Sequence, residues 1–206
     1  MIELTTSLAE ATSNVVRRVQ RSLVVLHNGR QGVGAGIIWS NNDANKHSQR
    51  TLILTNYHVI AHVRRLRAEL EDGVEYPARL LAQAPEFDLA LLEIDQGDLP
   101  AALIADSRSL RVGELVLAIG HPWGERSAVT AGLVSGLSTA QTRDPTQSIE
   151  IIRSDVRLAP GSSGGPLVNA SGAVVGINTM ILGGDQGIAV PSHVASAFVE
   201  QALKGH

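Results

Sequence analysis

The sequence predicts an all-β protein built as two β-barrels in series, with a helix at each end. Three observations predict it. Short apolar or alternating runs recur from Ser22 to Val190. Turn residues punctuate them, as at Asn28-Gly29, Asp72-Gly73 and Gln96-Gly97. Helical spacing is confined to the two ends. Strands at this spacing belong to barrels or sandwiches.

Residues 8–20 carry Leu8, Ala11, Val15, Val16 and Val19 at helical spacing with arginines between them, an amphipathic helix for the body to cover. A first series of strands is expected at 23–26, 33–39, 51–55, 75–82 and 89–94, with a polar tract at 40–50. After Leu99-Pro100 a second series is expected at 114–119, 128–137, 149–152, 164–168, 174–178 and 187–190. The stretch 106–113 between the two series reads as a linker. Val194, Ala197, Phe198 and Ala202 then mark a closing helix, with Ser192 as its N-cap. The organisation is an N-terminal helical segment (1–21), an N-terminal barrel (22–105), a C-terminal barrel (106–191) and a C-terminal helix (192–206).

Composition narrows the function. The chain has 206 residues, enough to bury roughly 70% of the surface its unfolded form exposes. A net charge of −3 gives no reason to expect nucleic acid or an anionic membrane, and no apolar run reaches the length of a membrane span. The chain has no cysteine, which excludes thiol chemistry and a disulfide framework. Met1 to Ser7 do not carry the basic flank and apolar core of a signal peptide. The expected location is the cytoplasm.

Chemistry concentrates in Ala159-Pro160-Gly161-Ser162-Ser163-Gly164-Gly165-Pro166-Leu167. Such a loop either turns between two strands or presents a serine nucleophile with backbone N–H groups converging on a substrate oxygen. A nucleophile needs a base. Of His27, His47, His58, His62, His121, His193 and His206, His58 stands at the end of the apolar run Leu52-Ile53-Leu54, where a strand delivers it into a turn. It is either the base or a histidine satisfied at a strand end. His58 and His62 have the spacing of a zinc pair, but Val59-Ile60-Ala61 supplies no glutamate and no third ligand is evident. No metal is expected. Asp88, heading Leu89-Ala90-Leu91-Leu92, is either a turn cap or an acid whose burial is offset by a bond to the base. Asp95, Asp98 and Asp106 read as solvated loop charges.

Together these stretches resemble the trypsin-like serine proteases of the chymotrypsin fold, most closely the HtrA/Deg branch. The resemblance rests on Gly34-Ala35-Gly36-Ile37-Ile38, Thr55-Asn56-Tyr57-His58-Val59, Asp88 to Leu92, and Ala118-Ile119-Gly120-His121-Pro122. It continues through Gly132-Leu133-Val134-Ser135, Asp155, Pro160 to Leu167, Gly176-Ile177-Asn178-Thr179 and Ile188-Ala189-Val190-Pro191. It implies two six-stranded antiparallel barrels and a serine endopeptidase that needs no cofactor. By the same resemblance Ser163 is the nucleophile, His58 the general base and then acid, and Asp88 the orienting carboxylate. The N–H groups of Gly161 and Ser163 form the oxyanion hole, and a polypeptide substrate adds as a strand beside Asn178, Thr179 and Met180. A peptide-binding or chaperone-like module with a latent protease site is the rival reading. Nothing marks a lipid or acyl-carrier pocket of the kind an esterase or acyltransferase would need.

Departures from the family pattern bear on specificity and assembly. Ser162 stands where digestive zymogens carry an aspartate, so activation by a newly cut N-terminus is not expected. Thr179-Met180-Ile181-Leu182 implies a small or medium aliphatic residue before the cut. Arg157, six residues before Ser163, would favour an acidic one if it lined the pocket, and is otherwise a solvated arginine. The expected organisation is a protease domain without the PDZ domain of many relatives. Residues 1–38 contain no Phe, Tyr or Trp, the residues that commonly hold HtrA trimers, so a monomer is favoured over a homotrimer.

Overall fold

The computed structural model describes residues 2–28, 31–39, 50–63, 65–121, 128–141, 148–182 and 186–205. Gly29, most of the 40–50 tract, His47, Pro122 and His206 lie outside them, as do the side chains of Leu8 and Met180.

Two closed six-stranded barrels form the body, and every ladder between their strands is antiparallel. The first comprises β1 (Leu23–Asn28), β2 (Gln31–Trp39), β3 (Thr51–Thr55), β4 (Leu66–Glu69), β5 (Glu75–Ala84) and β6 (Leu89–Ile94), paired in the order β1-β2-β3-β6-β5-β4. The second comprises β7 (Leu115–Gly120), β8 (Ala128–Gln141), β9 (Ser148–Ser154), β10 (Pro166–Asn169), β11 (Val174–Leu182) and β12 (Gln186–Pro191), in the order β10-β11-β12-β9-β8-β7. Closure leaves neither sheet with a free edge.

The runs in β3 and β6 are apolar throughout because both their faces are buried. Side chains alternate across a strand, so one face of each run fills the first barrel and the other meets the second barrel. Ile53, Ala90, Leu92 and Ile94 join Val24 and Leu26 inside the first barrel. Leu52, Leu54, Leu89 and Leu91 pack in one cluster with Leu117, Ile119, Val168 and Ile177 of the second. A register slip of one residue would exchange the two sets, so both cores fix the same pairing, with Leu54 opposite Ile37 and Leu91. The cleft between the barrels inherits that rigidity.

Helix α1 (Ile2–Gln20) begins before the expected Leu8. Its last turns reach the core: Val19 is buried and Val15 and Val16 pack beside it, while Ala11 is exposed. Strand β4 is additional to the expected set. Helix α3 (Ser192–Lys204) lies where the apolar spacing put it, but Ser192 does not cap it. Its hydroxyl donates to the Ala105 carbonyl at 2.5 Å and accepts the Ser107 N–H at 3.1 Å, which commits it to the segment joining the barrels. That segment crosses between them by backbone bonds, Ala102 N–H to Ile38 and Val174 N–H to Leu103.

Candidate active site

The first barrel supplies a histidine and a carboxylate. Beyond β3, Asn56 leads into a one-turn helix, α2 (Tyr57–Ile60), anchored by buried Val59 and Ile60. His58 lies in this helix rather than at a bare strand end, and its side chain is half exposed to the cleft. Asp88 follows a 3₁₀ turn (Pro85–Phe87) in left-handed backbone conformation, φ 54°. Aspartate tolerates that region better than most residues, and here it turns the carboxylate back toward α2.

The Asp88 carboxylate is surrounded by donors. One oxygen accepts His58 Nδ1 at 2.8 Å and the Thr179 hydroxyl. The other accepts the His58 backbone N–H at 3.0 Å. Burial pushes the carboxyl up, but the bonds from the His58 ring, the Thr179 hydroxyl and the His58 N–H outweigh it, and its pKa lies below the ordinary value. An ionised Asp88 holds the proton of a neutral His58 on Nδ1 and leaves Nε2 as an acceptor.

The second barrel supplies the serine. Ser163 is partly exposed, whereas Ser162 is buried with its Cα and Cβ against Gly120. The loop is tied on both sides. The Ser163 carbonyl accepts the Ala35 N–H at 2.9 Å, and Gly164 and Gly165 exchange backbone bonds with Asn178. Gly164 has φ +82°, and a Cβ there would stand 2.1 Å from the Ala35 oxygen and 2.3 Å from the Thr55 hydroxyl. Only glycine fits this junction of the two barrels. A turn closes the loop ahead of it, with the Ser162 N–H on the Ala159 carbonyl and the Gly161 carbonyl accepting the His121 N–H. Among the described residues, the N–H groups of Gly161 and Ser163 donate no hydrogen bond.

The Ser163 hydroxyl donates to the Thr179 carbonyl at 3.0 Å, and no hydrogen bond joins it to His58. Thr179 therefore touches both partners, its hydroxyl on Asp88 and its carbonyl on Ser163. It can do so because the β11–β12 register shifts between Asn178 and Met180, a bulge that re-aims the residue between them. The sequence reading placed Thr179 beside substrate and missed its hydroxyl's bond to the acid. A hydroxyl after Asn178, two residues beyond a strand glycine, was the available signal.

Asn178 is occupied structurally: its N–H and C=O bond Gly165 and Gly164, and its side chain donates to the Pro166 carbonyl. Arg157 is exposed, and its carbonyl accepts the Thr130 hydroxyl at 2.9 Å. The cluster His27, Glu69 and Glu75 could hold a cation, but it lies on the first barrel apart from His58 and Asp88, and its members already have partners, Glu69 on the His27 ring and Glu75 on Arg67.

His121, whose N–H holds the Gly161 carbonyl, is 6% exposed. Burial, reinforced by nearby His27, lowers its pKa from 6.5 to about 4. A depressed histidine favours the neutral fold, so its contribution is complete above pH 6.5 and is lost as pH falls from there to about 4. The loss is on the order of 3 kcal/mol. Denaturation across that window should show wild type losing stability and His121→Asn losing markedly less. Equal losses would clear His121 of the effect.

The comparisons agree with this geometry. The chain matches the family described as trypsin-like peptidase domain over residues 34–177. It is 41% identical over 177 residues to a probable periplasmic serine endoprotease DegP-like of Marinomonas sp. (strain MWYL1), a match covering 84% of this chain and 36% of the relative. A probable periplasmic serine protease do/HhoA-like of Haemophilus influenzae is 37% identical over 180 residues, covering 84% and 37%. The chain thus spans little more than a third of these relatives. Among solved structures, the HtrA-type protease AlgW with decapeptide superposes with a TM-score of 0.79 at 29% identity, covering 93% of this chain and 67% of that one. The AlgWS227A form with decapeptide gives 0.81, also at 29%, covering 93% and 66%.

The periplasmic names of the sequence relatives overturn the cytoplasmic expectation and point to the cell envelope. The physical reason is that a chain without cysteine has no thiol to oxidise, so it suits an oxidising compartment equally well. The fold, the cleft between the barrels and the match across both of them lead to one conclusion: the chain belongs to the trypsin-like peptidase family, as a serine protease domain of the DegP/HtrA kind.

Proposed function

We propose that this domain cleaves peptide bonds within polypeptides through Ser163, His58 and Asp88. The observation that carries the proposal is the bridge from Asp88 to His58 Nδ1, which leaves Nε2 unengaged by the acid, while Thr179 bonds both Asp88 and the Ser163 hydroxyl. An arriving substrate strand runs beside Thr179 and Met180. A substrate N–H that takes the Thr179 carbonyl releases the Ser163 hydroxyl to turn toward His58 Nε2. Ser163 Oγ attacks the scissile carbonyl as His58 takes its proton. His58 then protonates the leaving amine, and water releases the acyl group by the same route. The negative oxygen sits on the open N–H groups of Gly161 and Ser163, each worth about 3 kcal/mol to the transition state.

With Arg157 exposed, the reading favours a small or medium aliphatic residue before the cut over an acidic one. The reading also keeps the domain as a monomer, with a polypeptide substrate as its partner.

A fluorophosphonate probe tests the assignment, because it labels only a serine that is activated and served by an oxyanion hole. Wild type and Ser162→Ala should label, and Ser163→Ala should not. A folded wild type that does not label would favour the peptide-binding module, and labelling that survives in Ser163→Ala would remove Ser163 as nucleophile.

A further inference from the structure

The Asp88 carboxylate is accounted for by its donors, but its backbone is not. Asp88 holds a left-handed conformation that an L-residue adopts only under constraint. Its N–H bonds the Pro85 carbonyl at 3.2 Å, and its carbonyl accepts two donors, the Tyr57 N–H at 3.1 Å and Asn56 Nδ2 at 2.9 Å. Asn56 is fully buried. Its amide orientation is fixed, because the Asp88 carbonyl can only accept, so the nitrogen must face it. That leaves Asn56 Oδ1 buried with no hydrogen-bond partner among the described residues. An apolar side chain of the same size would avoid this cost. A buried amide with one end unsatisfied calls for an explanation, and among the described residues its one side-chain bond is to the acid's backbone.

Building on the triad proposed above, we infer that Asn56 is a positioning residue for the reaction: its side chain clamps the Asp88 carbonyl and so fixes the angle at which the carboxylate meets His58. The clamp is short in sequence. Asn56 stands two residues before the base it serves indirectly, so one segment carries His58 and holds the backbone of its partner. If the clamp is removed, Asp88 can relax its φ and ψ, the carboxylate tilts, and His58 loses its fixed ring orientation. A misplacement of about 1 Å at such a site costs on the order of 10²-fold in rate. The effect falls on kcat, because Asn56 is buried away from substrate.

The test uses Asn56→Leu, which keeps the branched shape and removes the donor, and Asn56→Ser as a milder second variant. Peptide hydrolysis by folded Asn56→Leu should lose about 10²-fold in kcat with KM changed little. The NMR signal of the His58 Nδ1 proton, which reports its bond to Asp88 without any turnover, should move and exchange faster. In an Asp88→Asn background the same substitution should add almost nothing, because its route to the reaction is already cut.

An unchanged kcat and an unmoved proton signal in a folded variant would overturn the inference, as would full additivity with Asp88→Asn. Failure of both variants to fold would also count against it, since Asn56 would then serve the fold and not the triad. The wild type separates the two readings. An inactive, unlabelled wild type fails the triad itself, whereas an active wild type with unaffected variants fails only the clamp.

Discussion

Replacing Ser163 with alanine is expected to lower kcat for peptide hydrolysis by roughly 10⁴–10⁶-fold while leaving the fold intact. The size of the loss follows from the proposed role of Oγ, which is to accept the acyl fragment. The fold should tolerate the change because the tie to the first barrel runs through the Ser163 carbonyl and not its side chain. Ser162→Ala provides the contrast. Its hydroxyl makes one long bond, 3.4 Å from the Ala159 N–H, inside the turn before the nucleophile. Its removal should cost far less than the loss of Ser163. Steady-state kinetics on both variants decides between the adjacent serines, and equal losses would sink the assignment.

Asp88→Asn is expected to reduce kcat by about 10⁴-fold, the scale of that change in Ser-His-Asp sites generally. Asparagine can keep the bond from the His58 backbone N–H, so the geometry survives. Where the carboxylate oxygen accepted Nδ1–H, however, the amide can present a donor. That moves the histidine proton to Nε2 and removes the acceptor that Ser163 requires. The substitution has a second signature, in stability. Because the Asp88 pKa is depressed in the fold, its ionised form stabilises the protein above the ordinary carboxylate value, and that contribution fades as pH falls through the lowered one. Wild type and Asp88→Asn should therefore differ in stability at neutral pH and converge in acid. Parallel denaturation curves at both pH values would show that the carboxylate is not held as described.

Much of the architecture was legible in the sequence because burial on two faces writes itself plainly. Leu52-Ile53-Leu54 and Leu89-Ala90-Leu91-Leu92 are apolar without interruption, and both are strands between two cores. Strand β4 was not legible for the opposite reason. Leu66-Arg67-Ala68-Glu69 is only four residues long, and just Ala68 among them is fully buried, too little alternation to stand out. The start of α1 was hidden because Ile2 to Ser7 show no apolar spacing that continues the Val15, Val16 and Val19 stripe.

At the site, the motifs located His58, Asp88 and the Ser162-Ser163 pair, since each sits at a junction between apolar runs. What no motif encodes is direction. That Ser162 faces Gly120 and Ser163 faces outward depends on the turn geometry of the loop. The bond from Thr179 to Asp88 crosses from one barrel to the other, over a separation of 91 residues. Long-range contacts of that kind come from the docking of the barrels, which no local pattern specifies.

The hydrogen bond from Ala35 to the Ser163 carbonyl carries a consequence for the enzyme's life history. His58 and Asp88 belong to one barrel and Ser163 to the other. On the proposed triad, neither barrel alone holds both the nucleophile and its base. Nucleophile and base of that triad meet only when the two barrels are docked, so a partly melted copy of this domain would not cut its neighbours. Hydrolysis by that route would report, within a single polypeptide, that the two barrels have docked.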